Sequence, residues 1–293
     1  MGNTVLGVAV MLVATSTVNV GAVLQKKAVD GLPPFDSQSL TNSVRGVLAT
    51  PLWLAGWVLM TVGLLLNMIA LGLADMSIIQ PLNGFGLCVL AVFSRVYLGE
   101  QLTPITLVGI ASVILGVAAI GATIPDSRPF SGAEEIIACY THSAALATLL
   151  VFVGVALLLW WAAGRLKRGA GIAYAFVSAC SSVIGLTFSK GLFALFAILG
   201  VCATLQLGPA HLLLLLTITF STLALMILQL ALQKGEAVVV TPVFAASSVV
   251  LPLVMGVLVF AEDLEPLTVV ASLFIVGGVV CLGLREAPGV SSQ

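Results

Sequence analysis

Residues 78–117 read "IIQPLNGFGLCVLAVFSRVYLGEQLTPITLVGIASVILGV", and residues 239–279 repeat the pattern as "VVTPVFAASSVVLPLVMGVLVFAEDLEPLTVVASLFIVGGV". Each copy carries the motif Glu-x-Leu-x-Pro-x-Thr between two apolar runs, beginning at Glu100 in the first copy and at Glu262 in the second. Pro81 and Pro242 precede the motif at nearly matching places. The chain is therefore predicted to be a duplicated bundle of apolar helices, an internal repeat that many membrane transporters have around a central binding site.

The composition predicts an all-α, polytopic integral membrane protein. Of 293 residues, 60% are hydrophobic and 8% are charged, whereas the surface of a soluble domain needs about a quarter of charged residues. The net charge of -1 and the scattered basic residues exclude nucleic acid as a partner. Five cysteines without CxxC spacing indicate neither a disulfide framework nor a zinc site. No catalytic or cofactor motif occurs, so neither an enzyme nor a cofactor is expected.

A helix needs about 20 apolar residues to cross the hydrocarbon core. The runs that qualify predict nine transmembrane helices: 4–24, 52–74, 77–98, 104–124, 143–164, 171–189, 212–233, 241–261 and 266–284. The apolar segment 193–207 is about 15 residues long and is expected to be re-entrant or interfacial; a full crossing would change the helix count.

The repeat divides these helices into two groups of four joined by a linking helix. Gly21 and Lys26 in helix one match Gly185 and Lys190 in helix six. The predicted organisation is a first repeat at 1–125, an outer loop and linking helix at 126–168, a second repeat at 169–286 and a tail at 287–293.

Basic residues predict the orientation, since loops rich in lysine and arginine stay in the cytoplasm. With the N-terminus outside and the C-terminus inside, the cytoplasmic side holds nine basic residues and leaves only Arg128 and Lys190 elsewhere: Lys26, Lys27, Arg45, Arg95, Arg165, Lys167, Arg168, Lys234 and Arg285. Helix one then runs inward and helix six outward, so the two four-helix repeats are expected to be inverted. The expected location is the plasma (inner) membrane.

Several stretches resemble the NIPA-type magnesium transporter family of the drug/metabolite transporter superfamily. They are "TSTVNVGAVLQKKAVDGL" from Thr15, "WLAGWVLMTVGLLLNMIALGLADMSIIQPLNGF" from Trp53, "YLGEQLT" from Tyr97, and "VVVTPVF" and "VFAEDLEP" in the second half. The resemblance implies a secondary transporter with magnesium as substrate. The family usually has an acidic residue after the glycine of helix two, whereas Leu64 follows Gly63 here.

Polar side chains inside the predicted helices are candidates for substrate contact, because amides and hydroxyls offer oxygen ligands without a buried charge. The candidates are Asn19, Asn67, Gln80, Asn83, Gln229 and Thr241. The alternative is that such residues only hold helices together. Pro81 and Pro242 are expected to begin helices three and eight, or to interrupt backbone pairing where a substrate binds.

Charged residues near helix ends suggest a pair of gates. Lys26 with Glu100 would lie at the cytoplasmic ends of the first repeat, and Lys190 with Glu262 at the opposite ends of the second. Contacts made and broken alternately would open one side at a time; the alternative is that the lysines snorkel and the glutamates simply end helices. Asp75, on the outer side, is a possible first contact for a metal cation.

Three functions stay open from the residues. The first is alternating-access transport of magnesium or another divalent cation, and the second is export of a small organic metabolite or drug. The third is a non-transporting membrane scaffold subunit. The expected partners are an ion or small-molecule substrate and the lipid bilayer, and a homodimer is compatible with the sequence.

Overall fold

The computed structural model describes residues 2–30, 50–98, 102–122, 130–166, 169–235 and 237–283. These residues form helices and contain no strand. The helices are α1 (Gly2–Asp30), α2 (Pro51–Leu73), α3 (Met76–Ile79), α4 (Asn83–Leu98), α5 (Pro104–Ala122), α6 (Ala133–Thr141), α7 (Ser143–Ala163), α8 (Ala170–Leu199), α9 (Val201–Thr204), α10 (Gly208–Lys234), α11 (Ala237–Phe260) and α12 (Pro266–Gly283).

Nine segments of the described chain are long and apolar enough to cross a membrane. Helices α3 and α4 together make the third of these spans, and the short helices α6 and α9 lie outside them. The predicted all-α membrane bundle of nine helices is therefore confirmed. The candidate gate residue Glu100 and the tail at 287–293 lie outside the described residues.

Two predicted helix ends were placed too early, because a charged or polar residue was read as the end of a span. Helix α1 continues through Gln25 to Asp30, and α8 continues through Lys190 to Leu199. The segment 193–207 is therefore not a separate re-entrant helix. Its first residues extend α8, and the four-residue α9 and a turn complete it before α10.

The prediction that Pro81 and Pro242 begin helices was wrong. Pro242 lies inside α11, whereas Pro81 lies in a turn that separates α3 from α4. Pro81 has no N–H to donate to the carbonyl of Ser77, and the next amides bond three residues back, as Leu82 does to the Ile79 oxygen at 3.2 Å. The third span is therefore discontinuous, whereas the eighth is not.

Glycines allow three helix pairs to approach at backbone distance. Helix α1 packs on α2, α8 on α10 and α5 on α12. A Cβ atom added to Gly21 would lie 2.6 Å from the Gly56 oxygen, and one added to Gly278 would lie 2.6 Å from the Gly109 oxygen. Small residues at such crossings let transmembrane helices associate through close van der Waals contact.

Replacing Gly278 by alanine should destabilise the protein, because the added methyl group must push α5 away from α12. Overpacking of this kind costs about 1–3 kcal/mol. The neighbouring Gly277 has open space around the same position, so Gly277→Ala should be neutral or slightly stabilising, as expected for alanine in a helix. Thermal unfolding of both variants in the same detergent micelles measures the difference, and equal shifts would contradict the described α5–α12 interface.

Candidate transport site

A buried ion pair joins the end of α11 to the middle of α8. The Nζ atom of Lys190 donates a hydrogen bond to Oε1 of Glu262, and the two side chains are 4% and 3% exposed. A buried ammonium requires such a partner, because leaving one charge of a buried pair alone costs about 3–5 kcal/mol. This pair therefore constrains where α8 and α11 lie relative to each other.

The chain turns back after α11 to bring Glu262 inward. Ala261 has a left-handed backbone with φ 51°, and the Glu262 N–H donates to the Gly256 oxygen at 3.1 Å. Gly256 has no side chain where the carboxylate of Glu262 lies, and a Cβ atom there would overlap it. The turn and the glycine together place a charged group against apolar helices.

The same carboxylate caps the start of α3 in the first half of the chain. The N–H groups of Met76 and Ser77 donate to Glu262 at 2.8 and 2.9 Å. Burial by itself would raise the pKa of Glu262, but the Lys190 ammonium and the hydrogen bonds from Lys190 and Ser77 bring it below its ordinary value. Glu262 is therefore ionised and links both halves of the protein.

Asp75 is the second carboxylate beside Lys190. Its Oδ1 atom lies 4.0 Å from the Lys190 Nζ atom, and its side chain is 19% exposed. Asp75 precedes α3 at the N-cap position but makes no capping hydrogen bond, since Glu262 occupies the amides. Burial and repulsion from Glu262 raise the pKa of Asp75 to about 6, although Lys190 acts in the opposite direction.

A chain of three side-chain amides lies at the break between α3 and α4. Asn67 on α2 donates to Asn83 Oδ1 at 3.4 Å, and Asn83 donates to Gln80 Oε1 at 2.9 Å. The outer ends of this chain, Asn67 Oδ1 and Gln80 Nε2, are buried and have no hydrogen-bond partner among the described residues. Amide oxygens and nitrogens are assigned from such networks, so turning all three amides would exchange the oxygen and nitrogen at the two ends.

Helix α1 supplies the other wall of this amide cluster. Thr15 donates to the Asn83 backbone oxygen at 3.3 Å, and Asn19 donates to the Thr15 oxygen at 2.8 Å. Gly86 on α4 leaves room for both side chains, since a Cβ atom there would overlap them. The cluster thus combines α1, α2 and the discontinuous third span, all from the first half.

The structure brings four of the six predicted substrate residues together: Asn19, Asn67, Gln80 and Asn83. Gln229 is exposed on α10 and Thr241 is half-buried on α11, and neither takes part in the hydrogen bonds of the amide cluster. Lys26 is exposed near the end of α1. The described residues include no group of three or more His, Cys, Asp or Glu side chains that could hold a metal ion.

Charge differs between the two ends of the bundle. The end with Lys190 also has four exposed carboxylates in its connecting segments: Glu134, Glu135, Asp263 and Glu265. Lysines and an arginine mark the opposite end: Lys26, Lys27, Arg165 and Lys234. A cation approaching the Lys190 end therefore meets a negative rim before it meets the buried ion pair.

The comparisons with known proteins agree on one family. The family model described as "Magnesium transporter NIPA" matches residues 3–283. "Probable magnesium transporter NIPA9" of Arabidopsis thaliana is 38% identical over 111 residues, which cover 38% of this chain and 32% of that protein. "Probable magnesium transporter NIPA6" of Arabidopsis thaliana is 25% identical over 264 residues, which cover 87% of this chain and 79% of that protein.

A mammalian relative is more distant. "Magnesium transporter NIPA4" of Mus musculus is 22% identical over 188 residues, which cover 64% of this chain and 46% of that protein. The chain thus spans about a third of NIPA9 and less than half of NIPA4. No solved structure matches the chain.

The raised pKa of Asp75 predicts a protein that is more stable in mild acid. With a pKa of about 6 in the folded state, the Asp75 carboxyl group binds its proton more tightly than in the unfolded chain. Protonation of Asp75 therefore stabilises the folded state at low pH, and this stabilisation is lost as pH rises through 6. Between pH 7.5 and pH 5 the gain should be roughly 1 kcal/mol. The lowered pKa of Glu262 acts only at more acidic pH.

The measurement compares thermal unfolding of the purified wild type and Asp75→Asn across this range. The variant should lose the acid-side gain, and Glu265→Gln, exposed in the loop that follows Glu262, should retain it. Identical pH profiles for wild type and Asp75→Asn would show that Asp75 titrates at its ordinary pKa.

Proposed function

The chain belongs to the NIPA magnesium transporter family, and from this membership we propose that it carries Mg²⁺ or another divalent cation across the membrane by alternating access. The observation that carries the mechanism is the position of the ion pair relative to the amide cluster. Asn67 lies six residues before the end of α2 at Leu73, which is about 9 Å along the helix, and Asp75 follows that end. The ion pair therefore closes one end, and the neutral amides lie deeper in the bundle.

Helix packing supports two inverted repeats. The pairing of α1 with α2 corresponds to that of α8 with α10, and the pairing of α1 with α4 corresponds to that of α8 with α11. Helices α5 and α12, the last of each repeat, pack on each other, a contact that a two-fold relation between the halves maps onto itself. These correspondences follow the sequence repeat helix by helix.

One difference between the repeats supports a state that is closed at a single end. Helix α2 packs on α8, and a Cβ atom on Gly72 would lie 2.9 Å from the Phe193 oxygen. The repeat relates this pair to α10 and α1, for which the described residues contain no comparable interface. We therefore assign this arrangement, in the proposed mechanism, to the state closed at the Lys190 end.

The chemistry of the two regions suits a divalent cation. A negative rim raises the local concentration of cations at the mouth. Mg²⁺ prefers oxygen ligands and gives up its water reluctantly, so amide oxygens can accept hydrogen bonds from its water shell. A neutral site also releases the ion readily, because no carboxylate in the amide cluster has to be separated from it.

The second candidate, export of a small organic metabolite, is favoured by the unpartnered Gln80 Nε2 atom. A donor at this place suits a ligand with its own acceptor oxygen and cannot face a cation. If all three amides are turned, Gln80 Oε1 replaces Gln80 Nε2 at this place, and an oxygen there can face a cation. A flux assay in vesicles of the purified protein decides between the two substrates, and the absence of any flux would favour the scaffold.

Replacing Asn83 by leucine should weaken transport of Mg²⁺, because Asn83 holds the amide chain together. We expect the KM for Mg²⁺ uptake into vesicles with an internal dye to rise about tenfold, the effect of losing one to two hydrogen bonds. Thr61→Val is the control, since Thr61 is half-buried on α2 and its hydroxyl group donates to the Trp57 oxygen of the same helix. An unchanged KM in a correctly folded Asn83→Leu protein would remove the amide cluster from the transport path.

Replacing Glu262 by glutamine should slow transport, because the neutral amide removes the negative charge that pairs with Lys190 and weakens the closure. We expect a loss of more than tenfold in the rate at saturating Mg²⁺, as breaking a buried pair costs more than 1.4 kcal/mol. Glu265→Gln, exposed in the same loop, should transport normally. If Glu262→Gln and Lys190→Gln both keep the wild-type rate and surface expression, the ion pair is not a gate.

A further inference from the structure

Helix α6 lies over the ion pair without belonging to either repeat. It packs on α7, α8 and α11, and Ile136 on its inner face is fully buried. Glu134 and Glu135 in its first turn are exposed. The helix is therefore amphipathic, with its apolar face against the two helices that supply Lys190 and lead to Glu262.

Tyr140 makes the specific contacts of this face. Its hydroxyl group donates to the Thr187 backbone oxygen on α8 at 2.6 Å. Its ring stacks on Phe188 of α8 at 5.7 Å and meets Phe260 of α11 edge-on at 5.8 Å between centroids. One side chain from the linker thus contacts both α8 and α11.

These contacts surround the ion pair. The Nζ atom of Lys190 lies 4.5 Å from the centroid of the Phe260 ring that Tyr140 contacts. Gly191, next to Lys190, leaves space for the Tyr140 ring, since a Cβ atom there would overlap it. A shift of α8 against α11 large enough to separate Lys190 from Glu262 must therefore also disturb Tyr140.

We propose that Tyr140 is a positioning residue of the closed end, which holds α8 and α11 in the arrangement that pairs Lys190 with Glu262. The proposal rests on the alternating-access function, because a positioning role matters only if this end also opens. Helix α6 lies in the predicted linker at 126–168, so the inverted repeat gives it no counterpart at the opposite end. Tyr140 therefore stabilises closure of one end alone and favours the state in which the Lys190 end is shut.

Hydrogen exchange of two amides reports opening directly. The Met76 and Ser77 N–H groups donate to Glu262, so they exchange with solvent when the carboxylate leaves. Tyr140→Phe keeps the ring and removes the hydrogen bond to Thr187. We expect exchange in the peptide containing Met76 and Ser77 to become about fivefold faster in lipid nanodiscs, the effect of one lost neutral hydrogen bond.

The control is Tyr174→Phe, since Tyr174 is buried on α8 in the second hydrophobic cluster, away from Glu262, where it meets Trp160 edge-on at 5.1 Å. This variant should leave exchange at Met76 and Ser77 unchanged. Tyr140→Phe should also lower the apparent KM for Mg²⁺ supplied from the Lys190 side by the same factor as the exchange rate rises, because more of the protein is open to that side.

The outcomes separate the two proposals. If the folded Tyr140→Phe variant exchanges at Met76 and Ser77 at the same rate as the wild type, Tyr140 has no positioning role. Faster exchange spread evenly along α8 and α10 would also overturn the proposal, because it indicates a general loss of stability. Faster local exchange in a protein whose wild type moves no Mg²⁺ would support the positioning role and reject the transport of this ion. Thermal unfolding in the same nanodiscs verifies that the variant is folded.

Discussion

Lys190 lies within the membrane-spanning helix α8, where a solitary ammonium would be costly, and much of the surrounding structure follows from the need to pair it. Glu262 can reach it only because Ala261 adopts a left-handed backbone and Gly256 leaves space. The same carboxylate also accepts hydrogen bonds from the two N–H groups that begin α3. The third span therefore starts at Met76, next to the end of α11. One interaction thereby joins three helices from both halves of the chain: α3, α8 and α11.

This interaction also makes one end of the bundle chemically different from the region of the amide cluster. The charged contact at one end is strong but consists of groups that can separate, whereas the amide cluster at the break in the third span is neutral and has spare hydrogen-bonding capacity. A cation can be bound by such a cluster through its water shell and then released. In the proposed mechanism, the acidic rim and the ion pair control access, and Mg²⁺ or another divalent cation is the ion that passes.

Periodicity, hydropathy and the repeat predicted the parts of this structure that depend on apolar length and on duplication. They include the nine spans, and they placed Lys190 with Glu262 at one end. The predicted end of helix six was too early because Lys190 was taken to end the span. A lysine can lie inside a span when a carboxylate, here Glu262, pairs with it. Pro81 and Pro242 lie in similar sequence contexts, yet Pro81 interrupts a helix and Pro242 does not. The packing around each proline decides whether the helix continues through it. Tyr140 gave no signal, because its contacts lie far away in sequence.

The most direct test of alternating access measures both ends of the bundle at once. Spin labels on Leu73 and Ile198 report the distance between α2 and α8 at the Lys190 end, and labels on Lys26 and Lys234, exposed on α1 and α10, report the opposite end. In lipid nanodiscs with and without Mg²⁺, the account predicts that one distance lengthens as the other shortens. Two distances that stay fixed, or that change in the same direction, would contradict it.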